Sequence, residues 1–290
     1  MKDVLLVGAN GQLGLAIQQV LGRNGLGVTP LTRREFDADH DDAAVALAEY
    51  REHRYLINCI AYHKVDLCED NFDRSFKING QLVMKLAHFC SNHNITLMHI
   101  STDYVFDGRK PEAYVETDRP SPINVYGASK LAGEILTAAY AGKYFVFRVS
   151  SLFGYKKTTD PNVNFVEKMI HAAREKRPLK VIDNQIMSPT YTVDAAAAIG
   201  SVIKQGVTDY GIYHACNSGE CSWYEFARTI FELTGLDNDL APVSYDQFHT
   251  HAPRPQFCSM NNAKLAGFHK MRQWREALAD YLRVSGYVKG

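Results

Sequence analysis

The sequence predicts an α/β fold, a doubly wound parallel sheet with helices on both faces and a smaller C-terminal α/β domain. One observation is the alternation of strands and helices: apolar β-type runs occur at 4–7, 55–60, 95–100 and 144–150, and helical patterns occur near 12–22, 42–50, 73–91 and 126–140. A second is the glycine-rich segment that joins the first run to the first helix. A third is composition, because 290 residues with 46% hydrophobic content can bury a large core. Ligands of such folds bind at the carboxyl ends of the strands.

The first strand runs directly into GANGQLG at 8–14, and a helical pattern follows. We expect Gly8 to allow the tight turn and Gly11 to let a pyrophosphate approach the backbone. Gly14 would let the helix pack on the strand while its first N–H groups face the anion. The spacing is G-x-x-G-x-x-G, not the commoner G-x-G-x-x-G. Glycines also serve ordinary turns, so this segment alone is weak evidence for a dinucleotide site.

The second strand is expected to end near 31–34, where a fold that prefers NAD places an acidic residue for the ribose 2′-hydroxyl. This chain has Arg33 and Arg34 there. A guanidinium suits a 2′-phosphate, so the sequence favours NADPH and leaves NADH open. Exposed arginines after a strand are also commonly just solvated.

The candidate chemistry lies at the end of the apolar run 95–100 and on the helix predicted near 126–140. Ser101 and Thr102 end an apolar strand, and Tyr126 and Lys130 lie one helical turn apart on the same helix face. A neighbouring ammonium favours phenolate, so we expect Lys130 to lower the pKa of Tyr126 and make it a proton donor. A tyrosine and a lysine on a solvated face, or a threonine satisfying a strand end, are the structural alternatives.

Beyond about residue 154 the pattern loosens into loops near 155–161 and 183–189. They separate helical patterns at 162–176, 193–204, 222–234 and 272–285. We therefore predict a cofactor-binding domain over 1–154 and a mainly substrate-binding domain over 155–290.

Composition excludes several classes of function. Lys+Arg and Asp+Glu both number 32, so no net charge attracts nucleic acid or an anionic membrane. No apolar run reaches the roughly 20 residues of a membrane span, and a cytoplasmic protein is expected. The six cysteines form no C-x-x-C pair and the eleven histidines show no zinc spacing, so reduced thiols and no metal site are expected.

The motifs together resemble a known family. The glycine turn, Ser101-Thr102 and the Tyr126 and Lys130 pair occur in the order typical of extended short-chain dehydrogenase/reductases. More closely, the chain resembles the dTDP-4-dehydrorhamnose reductases over nearly its whole length, through GQLG at 11–14, STDYVFDG at 101–108, YGASKLAGE at 126–134, SPTY at 188–191 and RP at 254–255. The resemblance implies a Rossmann-type fold whose two domains interleave.

The resemblance also implies functional residues. Thr102, Tyr126 and Lys130 would be catalytic, with Thr102 orienting a carbonyl, Tyr126 donating a proton and Lys130 also binding the nicotinamide ribose. The expected cofactor contacts are Gly8, Asn10, Gly11, Gln12, Leu13, Arg33, Asp37, Ala38, Ala61, Tyr62, Tyr126 and Lys130. The expected substrate contacts are Thr102, Asp103, Tyr104, Phe106, Tyr126, Asn164 and Arg254. Core packing is the alternative for Phe106. Arg254 lies between prolines and suits a diphosphate.

The expected reaction is reduction of a nucleotide-linked 4-keto-6-deoxy sugar, dTDP-4-dehydro-L-rhamnose first. Related dehydratases carry Thr-Asp-Glu where this chain has Tyr104, which favours reduction over elimination. Three departures bear on specificity and assembly: Ser151 replaces a tryptophan, Met187 replaces a glycine, and Ala16 replaces a glutamate of a metal-bridged dimer. We predict no such metal site. A homodimer stays open.

Two alternatives stay open as well. Epimerases share the tyrosine and lysine and differ mainly in how they hold the sugar. The regulatory subunit of methionine adenosyltransferase also resembles this group, and it acts as a binding partner. The intact Thr102, Tyr126 and Lys130 favour an enzyme.

Overall fold

The computed structural model describes residues 3–154, 164–248 and 250–288. Within them the strands are β1 (Val4–Val7), β2 (Val28–Leu31), β3 (Tyr55–Asn58), β4 (Thr96–Thr102), β5 (Tyr144–Val149), β6 (Leu152–Phe153), β7 (Leu179–Ile182), β8 (Ile186–Met187), β9 (Thr190–Tyr191), β10 (Gly211–His214), β11 (Cys221–Ser222) and β12 (Leu240–Val243). The helices are α1 (Gln12–Arg23), α2 (Ala43–Ala46), α3 (Val65–Asp70), α4 (Phe72–Phe76), α5 (Leu82–Asn92), α6 (Val125–Tyr140), α7 (Phe165–Arg174), α8 (Thr192–Lys204), α9 (Trp223–Thr234) and α10 (Trp274–Val284).

Six strands form one parallel sheet in the order β10-β5-β4-β3-β1-β2. The chain order reverses between β1 and β3, which makes their carboxyl ends the topological switch point. Alternate residues of β1 enter different cores: Val4 and Leu6 pack with α1 and α8, whereas Leu5 and Val7 pack with α2 and α5. Helices therefore cover both faces, and the predicted fold class is confirmed.

The strands that the apolar runs predict are β1, β3, β4 and β5. β2 lies at one edge of the sheet, where Pro30 can pair with Leu6 without needing an N–H on its outer side. The sequence does not predict β10, which pairs with β5 at the opposite edge. Its four residues are too short and too mixed to give a periodic signal.

The helix predicted over 73–91 is interrupted. α4 ends at Phe76, a π-helical segment follows over Lys77–Gln81, and α5 begins at Leu82. The helix predicted over 42–50 is reduced to α2 and one 3₁₀ turn. Asp42 caps α2 by accepting the N–H groups of Ala44 and Val45. The other predicted helices form with small shifts of their ends.

The C-terminal part has its own core, formed mainly by α7, α9 and α10. Three two-stranded sheets accompany it, pairing β7 with β12, β8 with β11 and β6 with β9. α8 and β10, however, pack with the N-terminal sheet. The boundary at residue 154 stays a prediction, and the predicted loop at 155–161 lies outside the described residues.

None of the helices in the described part of the chain is long and apolar enough to cross a membrane. The same residues contain no group of three or more His, Cys, Asp or Glu side chains placed to hold a metal ion. The six cysteines are all free thiols, and all except the partly buried Cys59 are buried.

Candidate active site

The turn between β1 and α1 needs two of its glycines for packing. Gly8 has φ +77°, and a Cβ there would lie 2.9 Å from the carbonyl carbon of Cys59 and from the Ile60 nitrogen. A Cβ on Gly14 would lie 2.5 Å from the Gly8 oxygen. The turn can therefore lie against the end of β3, and α1 can begin close to the sheet, only with glycine at both positions.

Gly11 differs, because the protein itself leaves room for a side chain there. Its φ is −73°, and the nearest atom to a Cβ added at this position is the Gly8 oxygen at 3.5 Å, an ordinary contact. What glycine provides at this position is open space at the N-terminus of α1, beside the switch point. The backbone N–H groups of the first helical turn suit a phosphate in that space, so the residues fit a dinucleotide.

The loop after β2 carries the residues expected near the cofactor's adenosine. Arg33 is largely exposed and pairs with Asp37 and Asp39, each at 3.1 Å. Arg74 also pairs with Asp39, at 2.7 Å, and its guanidinium lies 5.1 Å from the ring centroid of Tyr62. The structure thus brings the predicted Arg33, Asp37 and Tyr62 into one charged cluster, which includes Arg74.

Three hydrogen bonds hold the start of α6. Asn124 caps the helix by accepting the Gly127 N–H at 2.7 Å, and its amide donates to the Pro253 oxygen at 2.9 Å. Glu69 accepts the Val125 N–H at 2.8 Å. Gly127 lies directly against the Tyr104 carbonyl, where a Cβ has no space. Tyr126, in the first turn of α6, is thereby held beside the carboxyl end of β4.

Thr102, Asp103 and Tyr126 meet at that edge. The Thr102 hydroxyl donates to Asp103 Oδ1 at 2.9 Å and hydrogen bonds to the Tyr126 hydroxyl. Ser150, which follows β5, donates to Asp103 Oδ2 at 2.7 Å. Burial raises the pKa of Asp103 to about 6, and these hydroxyls oppose the rise. A carboxyl that titrates near neutrality therefore lies one hydroxyl away from the candidate proton donor.

The electrostatics of Tyr126 differ from the expectation. Burial raises the pKa of Tyr126, and Lys130 is not among the groups that act against this rise. The reason is that the buried Lys130 Nζ donates to the Ile100 oxygen at 2.6 Å and lies 3.3 Å from His99 Nε2. Burial lowers the pKa of Lys130 itself to about 8. The predicted lowering of the Tyr126 pKa by Lys130 is therefore wrong for this structure.

The expected substrate contacts separate into two groups. Tyr104 and Arg254 lie on the side of Tyr126, and Asn164 lies beside Gln12 of α1. Tyr104 lies edge-on to Tyr126, with 5.8 Å between ring centroids. Arg254 pairs with Asp66 at 2.7 Å and is close enough to Tyr104 to lower its pKa against the larger effect of burial. Asn164 caps α7, and its amide donates to Gln12 Oε1 at 3.3 Å.

Phe106 lies in the protein core, away from the place expected for a substrate contact. Its ring is fully buried, stacks on Tyr114 with 4.0 Å between centroids, and lies under the Arg148 guanidinium. Phe106 therefore packs in the core, and the predicted substrate contact is wrong.

Several buried polar residues at the site were not predicted. Besides Ser150 they include Asn79, whose amide donates to Ser129 of α6 at 2.9 Å, and the paired Glu134 and Arg148. Asn79 lies in the π-helical segment, a distortion common at functional sites. Asn58 and His99 complete the set. The one signal available in the sequence was a polar residue inside an apolar run, as in the TLMHIST segment of β4.

A glycine turn at the switch point, with a threonine, a tyrosine and a lysine gathered nearby at the sheet edge, defines the class of extended short-chain dehydrogenase/reductases. Residues 1–286 match the family model described as the RmlD substrate binding domain. The chain therefore belongs to the family of the dTDP-4-dehydrorhamnose reductases, and it is an oxidoreductase, as predicted.

Individual relatives agree with this assignment. A dTDP-4-dehydrorhamnose reductase of Mycobacterium tuberculosis is 35% identical over 288 residues, which cover 97% of this chain and 92% of that protein. The spore coat polysaccharide biosynthesis protein SpsK of Bacillus subtilis is 37% identical over 98% of both chains.

Solved structures are similarly close. The dTDP-4-dehydrorhamnose reductase of Clostridium acetobutylicum has a TM-score of 0.91 at 35% identity, covering 98% of this chain and 99% of that one. The Bacillus anthracis reductase, solved in complex with NADP, has a TM-score of 0.90 at 36% identity, covering 97% and 99%.

Proposed function

We propose that this protein reduces a nucleotide-linked 4-keto-6-deoxy sugar with NADPH, and that its substrate is dTDP-4-dehydro-L-rhamnose, reduced to dTDP-L-rhamnose. The observation that carries the proposal is the convergence of Thr102, Asp103 and Tyr126 at the carboxyl end of β4. Full-length similarity to reductases with that named activity supports it.

Each residue has a chemical role in the proposal. The cofactor supplies a hydride, and the glycine turn with the N-terminus of α1 would hold its pyrophosphate. Tyr126 donates a proton to the sugar oxygen, and the Thr102 hydroxyl orients that oxygen. Arg254, whose planar fork suits a diphosphate, binds the nucleotide part.

The preference for NADPH rests on Arg33 and Arg34, which follow β2 where a 2′-phosphate would need a cation. Arg33 pairs with the carboxylates of Asp37 and Asp39 in this structure. A bound 2′-phosphate would replace these carboxylates as the partner of the guanidinium. NADP in the related Bacillus anthracis reductase supports the same preference.

The test is oxidation of NADPH in the presence of enzymatically generated dTDP-4-dehydro-L-rhamnose, with NADH in parallel. Tyr126→Phe should lower kcat by about 100- to 10,000-fold, because it removes the proton donor. Tyr140→Phe is the matched control, since Tyr140 ends the same helix and is 40% exposed. Full turnover in Tyr126→Phe would refute the assigned donor. NADPH binding without turnover would favour a binding protein of the regulatory-subunit type.

A second substrate is favoured by one specific observation. Ser151 occupies the position where the resembling reductases carry a tryptophan, and its φ of +43° is unusual for a serine. A smaller side chain beside the sugar changes which epimer fits. A relative from Streptomyces niveus, 31% identical over 280 residues, is a dTDP-4-keto-6-deoxy-D-glucose reductase. That keto sugar should be assayed alongside, and a higher kcat/KM with it would reassign the substrate.

A further inference from the structure

Asn58, His99 and Lys130 form a buried chain of polar side chains between β3, β4 and α6. Asn58 Nδ2 lies 3.2 Å from His99 Nδ1, and His99 Nε2 lies 3.3 Å from Lys130 Nζ. Each residue is at most 2% exposed. A Cβ on Gly133 would lie 3.2 Å from His99 Nε2, so the glycine leaves space for the ring beneath α6. Because the three side chains are this deeply buried, their polar groups must hydrogen bond to one another.

The backbone determines which nitrogen of His99 carries the proton. The Ile60 N–H donates to Asn58 Oδ1 at 3.0 Å, so the Asn58 oxygen must face Ile60 and its NH₂ group must face His99. That amide donates to Nδ1, which is therefore an acceptor without a proton. A neutral imidazole has one N–H, so the proton of His99 is on Nε2.

The Nε2–H bond of His99 then points at Lys130 Nζ. An ammonium group has only donors, so a protonated Lys130 would direct one of its N–H bonds at the Nε2–H bond of His99. A neutral amine has a lone pair that accepts from His99 while one of its own N–H bonds donates to the Ile100 oxygen at 2.6 Å. The surroundings of Nζ therefore provide a hydrogen bond that exists only when Lys130 has lost a proton.

On the basis of the reductase activity proposed above, we propose that His99, held by Asn58 with its proton on Nε2, is a positioning residue that stabilises neutral Lys130. Tyr126 gives its proton to the sugar oxygen and becomes phenolate. In this proposal a bridging water then carries one proton from the Lys130 ammonium to that phenolate, which restores the tyrosine and leaves a neutral amine. His99 donates a hydrogen bond to this amine until solvent returns the proton.

Other groups near Lys130 are compatible with this role. Burial lowers its pKa to about 8, while Glu134 and Cys59 act in the opposite direction. Glu134 is bound by Arg148 and Ser101, and burial raises the pKa of Cys59 to about 12, so its thiol stays neutral. Burial and then Lys130 hold the pKa of His99 well below its ordinary value. His99 therefore stays neutral near pH 7.

Nuclear magnetic resonance of the full chain tests the proposal without turnover, so its failure is distinguishable from failure of the proposed function. Ring-¹⁵N histidine should show His99 as the Nε2–H tautomer. His214 is an internal reference of the opposite tautomer, because its Nδ1 donates to the Asn261 oxygen at 3.0 Å. The Lys130 Cε signal, assigned with Lys130→Met, should titrate at least one pH unit below the ordinary value of about 10.4. An Nδ1–H tautomer at His99, or an ordinary Lys130 titration, would overturn the proposal.

The Asn58→Asp variant tests whether the Nε2–H tautomer of His99 stabilises neutral Lys130. A carboxylate at 58 accepts from His99 Nδ1–H, moves the ring proton away from Nε2 and lets Nε2 accept from the ammonium. We expect the tautomer to invert, the pKa of Lys130 to rise by roughly one unit or more, and the alkaline limb of the kcat profile to move with it. His53→Gln removes a buried histidine before β3 and should change none of these. A rise in the pKa of Lys130 without a change of tautomer would mean that charge alone acts, and would refute the role of His99.

Discussion

At the scale of single residues, Asp103 shows how burial prepares a group for chemistry. Asp103 is 3% exposed, and the hydroxyls of Thr102 and Ser150 donate to its two carboxyl oxygens. Burial disfavours the charged form more than these hydrogen bonds favour it, so its pKa rises to about 6. The result is a group that can exchange a proton near neutral pH through Thr102.

The same shift predicts a pH-dependent effect on stability. The Asp103 pKa is higher in the folded than in the unfolded protein, so ionisation costs stability above pH 6, and this cost disappears as the pH falls through 6 towards 4. Asp103→Asn removes the charge. At pH 8 its free energy of unfolding should exceed that of the wild type by roughly 1–3 kcal/mol, and the difference should shrink by pH 4.5.

Urea unfolding of both proteins across this pH range measures the difference, and Asp107→Asn on the neighbouring loop provides a comparison. A difference between Asp103→Asn and wild type that does not vary with pH would contradict the assigned shift.

At the scale of elements, α6 is the platform of the site. Its first turn contacts the Tyr104 carbonyl through Gly127, and its third turn approaches the Asn79 oxygen through Gly133. A buried pair joins the same helix to the sheet, since Glu134 accepts two hydrogen bonds from Arg148, at 2.9 and 2.7 Å. Tyr126 and Lys130 keep their positions because α6 lies this close to β4.

Two glycine-to-alanine substitutions should distinguish the effect of close packing on stability from the effect of helix propensity. Gly127→Ala places a methyl group against the Tyr104 carbonyl and should lower the free energy of unfolding by about 1–3 kcal/mol while reducing turnover. A Cβ at Gly22, in α1, would meet no atom within 4 Å, so Gly22→Ala should raise the free energy of unfolding by about 0.5–1 kcal/mol. Thermal and urea unfolding measure both. Equal effects of the two substitutions would show that the contact at Gly127 is unimportant.

At the scale of the whole molecule, the C-terminal part completes the site. The loop that follows β12 returns to the N-terminal part at Arg254, which pairs with Asp66 of α3, and the Ala252 N–H donates to the same carboxylate at 3.0 Å. The Pro253 oxygen accepts from the cap residue of α6, Asn124. This loop thus joins the proposed substrate-binding guanidinium to the helix that carries Tyr126.

Arg254→Lys should distinguish a bidentate contact from a simple charge. Lysine keeps the positive charge but loses the planar fork, so KM for the nucleotide sugar should rise about tenfold while KM for NADPH stays the same. Steady-state kinetics with each substrate varied in turn measure the two constants. Arg275→Lys, a variant of an exposed arginine on α10, is the control. An unchanged KM for the sugar would remove Arg254 from the proposed contacts.

The sequence by itself determined the sheet strands β1, β3, β4 and β5 and the glycine turn, and it proposed Thr102, Tyr126 and Lys130 as the candidate catalytic residues, because each depends on local periodicity or on a short motif. Only the tertiary structure decided that Phe106 packs in the core, that β10 joins the sheet, and that burial sets the pKa of Tyr126 and Lys130. Desolvation and hydrogen-bond partners depend on neighbours distant in the chain, as with Asn58, His99 and Lys130, and no local pattern encodes them.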